Sequence, residues 1–423
     1  MTTDLPVAAR TEFRRFGAVV AVVIGNALEW FDFVIYGYFA AVIAKVFFPL
    51  ASDVTAILLT FATFGVTFIM RPLGAIVIGD YSDRHGRKAA LQLSMVLMMI
   101  GTAMIALLPS YSNLGLLAPV LVAIARMIQG FSAGGEFGSA TAFLVEQNPD
   151  RRGFYASWQF ASQGLAAALA TGFGAALSAV LSTSEIESWG WRVPFFFGIL
   201  IGPIAYYIRR HTVETSEFRS VHTSASPIAK VLLDGKQRLV VAIGVVSLGT
   251  VSMYTILFMP TYALREMGVP ATMGYAAGLL TAAILFVVVP ITGALSDKYG
   301  RIPITAIAAF SLLILIYPMF YWLTRTPTLQ TLLIVQAMLG VLTAAYIGAI
   351  PALMSELFPV SIRTTGLAVS YAMGVSIFGG FAPFIHTSLI GVTGSKLAPG
   401  IYVIFAAVIS LLALARGKRF GIK

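Results

Sequence analysis

Gly79-Asp80-Tyr81-Ser82-Asp83-Arg84-His85-Gly86-Arg87 and Gly293-Ala294-Leu295-Ser296-Asp297-Lys298-Tyr299-Gly300-Arg301 follow one pattern, G-x-x-x-D-[RK]-x-G-R, and start 214 residues apart. Each closes an apolar stretch long enough to cross a bilayer. A second pair keeps nearly the same spacing: Glu146 with Pro149, and Glu356 with Pro359, are 210 residues apart. Two copies of one polar loop at matched positions mean two copies of one helical unit. Such repeats are expected to form pseudo-symmetric halves around a central cavity.

Working outward from these loops, segments of about 20 predominantly apolar residues mark membrane crossings. Twelve are expected, at 17–44, 53–79, 89–109, 115–145, 154–181, 191–208, 239–263, 272–295, 302–323, 328–354, 365–389 and 398–415. The longest polar stretch, 209–238, separates the sixth from the seventh and divides the chain into bundles at 1–208 and 239–423. The expected fold is therefore an all-α membrane protein, twelve transmembrane helices in two six-helix bundles about a central cavity. Pro260, Pro290, Gly379 and Gly380 are expected bend points.

Composition agrees. Apolar residues make up 58% of the 423 and charged residues 11%, too few to wet the surface of a soluble domain. The net charge of +10 does not indicate a nucleic-acid partner, because 21 of the 28 Lys and Arg fall in alternate loops and at the termini. The intervening loops hold only Lys45, Arg192, Arg265, Arg325 and Lys396. This asymmetry is the positive-inside pattern and puts both termini in the cytoplasm. With no cysteine, disulfides, thiolate catalysis and cysteine-bound metals are excluded. Gly-Lys-Ser/Thr and His-Glu-x-x-His patterns are absent, and an enzyme is not expected. The polar start Met1 to Arg15 leads into an apolar helix without the small-residue cleavage site of a secretory signal.

The duplicated loop resembles the signature loop of the major facilitator superfamily. That resemblance implies alternating access, with Asp83, Arg84 and Arg87, and with Asp297 and Arg301, latching the halves at the cytoplasmic end. Fixing loop structure and topology is the plainer role for the same residues. A narrower likeness rests on Gly25-Asn26-Ala27-Leu28-Glu29-Trp30-Phe31-Asp32-Phe33, Arg71-Pro72-Leu73-Gly74 and Gln129-Gly130-Phe131-Ser132-Ala133-Gly134-Gly135-Glu136. These look like the metabolite–proton symporter branch, whose members carry citrate, 2-oxoglutarate, shikimate, or proline and betaine. Ser157-Trp158-Gln159, Ala161-Ser162-Gln163 and Glu187-Ser188-Trp189-Gly190-Trp191-Arg192 look most like its citrate and tricarballylate carriers. The resemblance implies a small organic anion as partner, a bacterial inner membrane as location, and a monomer. It implies no cofactor beyond the coupling proton, with sodium left open.

Ionisable side chains inside spans cost about 2.5–3.5 kcal/mol each on insertion scales unless paired or wet. The bundle interior is expected to hold Glu29, Asp32, Arg71, Arg126 and Glu136. Asn26, Glu29, Asp32 or Phe33, and Tyr36 recur at helical spacing and form one polar stripe; Arg126 and Gln129 are neighbours at i and i+3. By family likeness Asp32 faces Arg126 as the proton-coupled pair, followed by Glu29 and Glu136; a permanent brace is the alternative. Protonating the acid frees the Arg for an anionic substrate. Arg71 is either a second, forked cation for a carboxylate or a stitch to a neighbouring helix.

On the fifth span Tyr155, Gln159, Ser162 and Gln163 share a face and either line the cavity or bond a neighbouring helix. Tyr254, Tyr346 and Tyr371 are candidates from the second half, each also readable as a packed Tyr, and His386 as a packing residue. Competing functions are a dicarboxylate or shikimate symporter, an efflux antiporter, and a transport-inactive sensor on the same fold.

Overall fold

The structure, a computed structural model, describes residues 7–85, 87–134, 136–200, 202, 231 and 235–422. The side chains of Asp83, Arg84, Arg87 and Glu136, and most of the expected linker 209–238, lie outside the described residues. Every regular element among the described residues is helical.

In the first half, α1 (Val7–Tyr38) meets α2 (Ala40–Phe47) at a 64° bend. They are followed by α3 (Asp53–His85), α4 (Arg87–Leu107), the pair α5 (Leu117–Ser132) and α6 (Glu136–Glu146), and α7 (Arg152–Val180). The expected sixth span begins as helix at 193–200 and then leaves the described residues. The second half starts with α8 (Lys236–Tyr262), α9 (Ala271–Tyr299) and α10 (Arg301–Arg325). It continues with α11 (Leu329–Ile347) and α12 (Ile350–Leu357), then α13 (Arg363–Gly374) and α14 (Ala382–Thr393) joined by a π-turn at Val375–Gly379, and α15 (Ala398–Gly417).

Among the described residues nine helices are long and apolar enough to cross a bilayer, and the bent α1–α2 pair makes a tenth. Gln92–Leu107 supplies the apolar part of the third crossing. Helix starts at Lys236, so the end of the expected linker belongs to the seventh span.

Lipid-facing stripes are visible directly. Ile307, Phe310, Ile314, Tyr317 and Tyr321 on α10, and Ile401, Phe405, Val408 and Leu412 on α15, are exposed at three- and four-residue intervals. One face of each helix thus meets an apolar solvent, an arrangement that water would not tolerate over this area. α8 differs: it is buried almost all round, lying between its own bundle and the other half.

α8 and α9 continue through Pro260 and Pro290, while the chain breaks at Phe39, at Ala133, at Gly348–Ala349 and after Gly379. Gly300 has φ +94°, which an L side chain rarely adopts, and it turns the chain between α9 and α10 as the repeated loop requires. α3 and α5 approach so closely that a Cβ on Gly74 would strike the Phe131 carbonyl, and one on Gly130 the Thr67 carbonyl. Backbones packed at this range depend on dispersion contacts that only glycine allows.

Candidate functional site: a buried cation pair beside a central cavity

α5 places Arg126 in the middle of the first half, fully buried. Its Nη1 donates to Gln129 Oε1 at 2.8 Å, and Gln129 Nε2 donates to Thr102 Oγ1 at 2.9 Å. Nε and Nη2 of the same guanidinium have no hydrogen-bond partner. Its carbon lies 4.6 Å from the ring centre of Tyr36 and 5.3 Å from that of Phe64. Tyr36 is held by a 2.6 Å hydrogen bond between its hydroxyl and Thr63 Oγ1.

Arg71 on α3 sits in an aromatic cage. Its guanidinium carbon is 4.6 Å from the ring centres of Phe33 and Phe68 and 4.9 Å from Trp30, and its Nε has no hydrogen-bond partner. Desolvated cation–π contacts are worth about 2 kcal/mol, so the rings help to hold this buried charge. Each unsatisfied buried donor costs about 1–3 kcal/mol, more for a charged group. An anion with several acceptor oxygens would relieve both residues.

Asp32 is the only carboxylate among the described residues buried beyond nine-tenths. One of its oxygens, Oδ1, has no hydrogen-bond partner and packs against Gly198 of the sixth span, where a Cβ would collide with it. Asp32 and Arg126 do not form an ion pair in this conformation. Thr102, which accepts from Gln129, is also close to Asp32, since a Cβ on Gly198 would meet both side chains. Glu29, on the same stripe, is half-buried.

None of the polar stripe residues Asn26, Glu29, Asp32 and Tyr36 is among those lining the cavity between the halves. Asn26 Nδ2 donates to the Gln159 carbonyl (3.1 Å) and Ser162 Oγ (2.6 Å), and Gln159 Nε2 donates back to Asn26 Oδ1 (3.2 Å). This network stitches α1 to α7, joining Asn26, Gln159 and Ser162 to each other and leaving Gln159 Oε1 without a partner. Gln163 reaches the cavity, with its Nε2 unpartnered. Tyr346 turns into the second half, where its hydroxyl donates to the Val245 carbonyl (2.6 Å) and contacts Ser410. It is absent from the cavity lining and is a packing residue here. His386 is likewise enclosed, its Nε2 2.9 Å from Thr255 Oγ1.

The cavity itself is small in this closed conformation, about 30 Å³, and lies between the halves. Trp30, Val34, Tyr38 and Gln163 line it from one side, and Thr250, Met253, Tyr254 and Tyr371 from the other. Trp30 separates it from Arg71, and Tyr254 stands edge-on to Phe64 (5.7 Å) and Phe68 (5.3 Å), the aromatic walls of the two cations. Both ends are covered by contacts between halves. At one, Tyr275 Oη donates to the Tyr38 carbonyl (3.1 Å), and Phe61 packs on Phe258 with centroids 5.7 Å apart. At the other, Asp297 accepts from the backbone N–H of Gly153 (2.8 Å) and Phe154 (2.9 Å), the first turn of α7. Arg301 bridges Asp297 (2.7 Å) and Glu356 (3.3 Å). A carboxylate on unsatisfied first-turn donors is favoured by both hydrogen bonding and the helix dipole. The equivalent contacts of Asp83, Arg84 and Arg87 lie outside the described residues, as does the side chain of Glu136.

Thr102, Trp30, Phe64 and Phe68 did not stand out as site residues in the sequence. Phe64, Phe68 and Arg71 follow i, i+4, i+7 spacing, and that shared face was the available signal.

Two helical halves closing over buried cations define a polytopic membrane carrier. The chain belongs to the Major Facilitator Superfamily, whose family model matches residues 22–325. It is similar to the citrate-proton symporter of Klebsiella pneumoniae, 40% identical over 94% of this chain and 91% of that protein. It is also similar to the alpha-ketoglutarate permease of Escherichia coli, 33% identical over 100% of this chain and 98% of that one. Among solved structures, a D-xylose-proton symporter shares the fold with a TM-score of 0.76, at 18% identity, covering 96% of this chain and 97% of that one.

Proposed function

We propose that the chain imports a small organic anion, citrate or a related tricarboxylate, by proton symport through alternating access. The observation that carries this is the pair of buried guanidinium groups with unpartnered nitrogens, Arg126 and Arg71, beside a central cavity and a buried Asp32. Arg126 is the first substrate contact and Arg71 the second, with Gln163, Gln129, Tyr36 and Tyr254 completing the seat. Asp32 is the proton site, with Glu29 and Glu136 as further carriers of protons. The identity to citrate-proton symporters supports the tricarboxylate. An inside-negative potential opposes anion entry by about 2.3 kcal/mol per charge per 100 mV, and co-transported protons reverse that sign. The chain acts as a monomer in a bacterial inner membrane, both termini cytoplasmic, and uses no cofactor.

Uptake of labelled citrate into proteoliposomes under an inward proton gradient tests the proposal. Accumulation that collapses with a protonophore is expected. Uptake of 2-oxoglutarate or shikimate in its place would keep the mechanism and change the substrate, a reading favoured by the likeness to the alpha-ketoglutarate permease. No gradient-driven uptake of any of the three would move the chain to another substrate class or to the sensor.

Asp297 acts as the latch at the loop-bearing end. Asp297→Asn retains one acceptor but loses the charge that binds the α7 N-terminus and Arg301. Charged hydrogen bonds contribute about 1.5–3 kcal/mol, so the population open at that end is expected to rise roughly tenfold or more. Because the chain has no cysteine, a single reporter at buried Ser157 gives a clean readout of maleimide labelling from that side. An unchanged labelling rate in Asp297→Asn would exclude the latch.

A further inference from the structure

We propose that the groove between the first turn of α8 and the end of α15 binds the phosphate group of an anionic phospholipid. About 520 Å³ of space there is lined by Lys236, Gln237, Val240, Arg416, Arg419 and Phe420. Lys236, Arg416 and Arg419 have no ion pair or side-chain hydrogen bond among the described residues. A fourth cation, Arg238, is already engaged: it donates to the Leu357 carbonyl and lies 5.0 Å from the Phe420 ring, fixing one wall.

Two features set this cluster apart from ordinary positive charge at a membrane surface. Lys236 sits in the first turn of a 27-residue helix that has no acid in that turn and no side-chain cap. A cation there faces the positive end of the helix dipole, and the arrangement is relieved by an anion. Second, the cations continue into lipid-facing strips. Val240, one turn below Lys236, is 54% exposed; Leu412, one turn from Arg416, is 63% exposed; Val408 follows on the same face. A free phosphate would use the cations alone, and a soluble acidic segment would leave the aliphatic strips unmatched. A phospholipid satisfies both, its phosphate among the three cations and its acyl chains along α8 and α15.

The test is native mass spectrometry of the purified full chain, titrated with phosphatidylglycerol, phosphatidylcholine of the same acyl chains, or inorganic phosphate. One phosphatidylglycerol is expected to be retained at least about tenfold more tightly than phosphatidylcholine. That preference is expected to vanish in K236Q/R419Q and to survive in R151Q/K298Q, which removes equal charge elsewhere at the same end. If K236Q/R419Q does not fold, R419Q alone is expected to lose about threefold. Equal retention of both lipids, equal loss in the control variant, or binding of inorganic phosphate without preference for phosphatidylglycerol would each overturn the lipid site.

Discussion

Asp32→Asn is expected to abolish gradient-driven accumulation of citrate, at least a hundredfold below the parent chain, while citrate binding changes no more than about threefold. The substitution is nearly isosteric and mimics the protonated acid. Asp32 is buried with one oxygen unpartnered, so its ionised form bears a desolvation penalty of several kcal/mol and depends on the neighbouring charge. A carrier whose acid cannot release its proton can bind anion but cannot couple its movement to the gradient. A brace to Arg126 predicts something different: loss of thermal stability with coupling intact. The structure already separates the two groups, which form no ion pair in this conformation. Measuring accumulation ratio, binding and melting temperature on one preparation distinguishes these outcomes. An Asp32→Asn protein that still concentrates citrate would shift the proton to Glu29 or Glu136.

Arg126→Gln is expected to weaken citrate binding at least a hundredfold, with Arg126→Lys intermediate at about tenfold. Truncating one partner of a buried charged contact costs about 2–5 kcal/mol, and a hundredfold is about 2.7 kcal/mol. Lys restores charge but neither the fork nor the 2.8 Å bond to Gln129 Oε1 that orients it. Isothermal titration with citrate measures both. Binding within threefold of the parent in Arg126→Gln would remove this residue from the seat and leave Arg71 as the anion contact.

The division into two halves was legible because the repeated loop carries several constrained residues at each copy. The ionisable residues were legible for a related reason: in an apolar chain each one is costly and stands out. Partnerships were less so. Helical spacing puts Asn26 on a polar stripe, but only the packing of α1 on α7 reveals that Gln159 and Ser162 consume its hydrogen bonds. The aromatic cage of Arg71 was hidden because 30 Phe make any one of them unremarked. Tyr346 illustrates the converse, since the faces of α11, apolar almost throughout, cannot be ranked from sequence. Backbone breaks fall at Phe39 and Gly348, which lack a Pro, whereas Pro260 and Pro290 are accommodated inside continuous helices.

The glycine contacts between α3 and α5 have a bearing on selectivity. Arg71 rides on one of these helices and Arg126 on the other, and the backbones touch at Gly74 and Gly130 with no room for a methyl group between them. Neither helix can slide past its neighbour without losing that fit. The spacing of the two backbones is therefore set by this close fit, and in the proposed alternating-access cycle both arginines would travel on one block. On the proposed seat such a pair would work as a fixed calliper, gauging the separation between a ligand's carboxylates identically at loading and at release and leaving protonation to change the affinity.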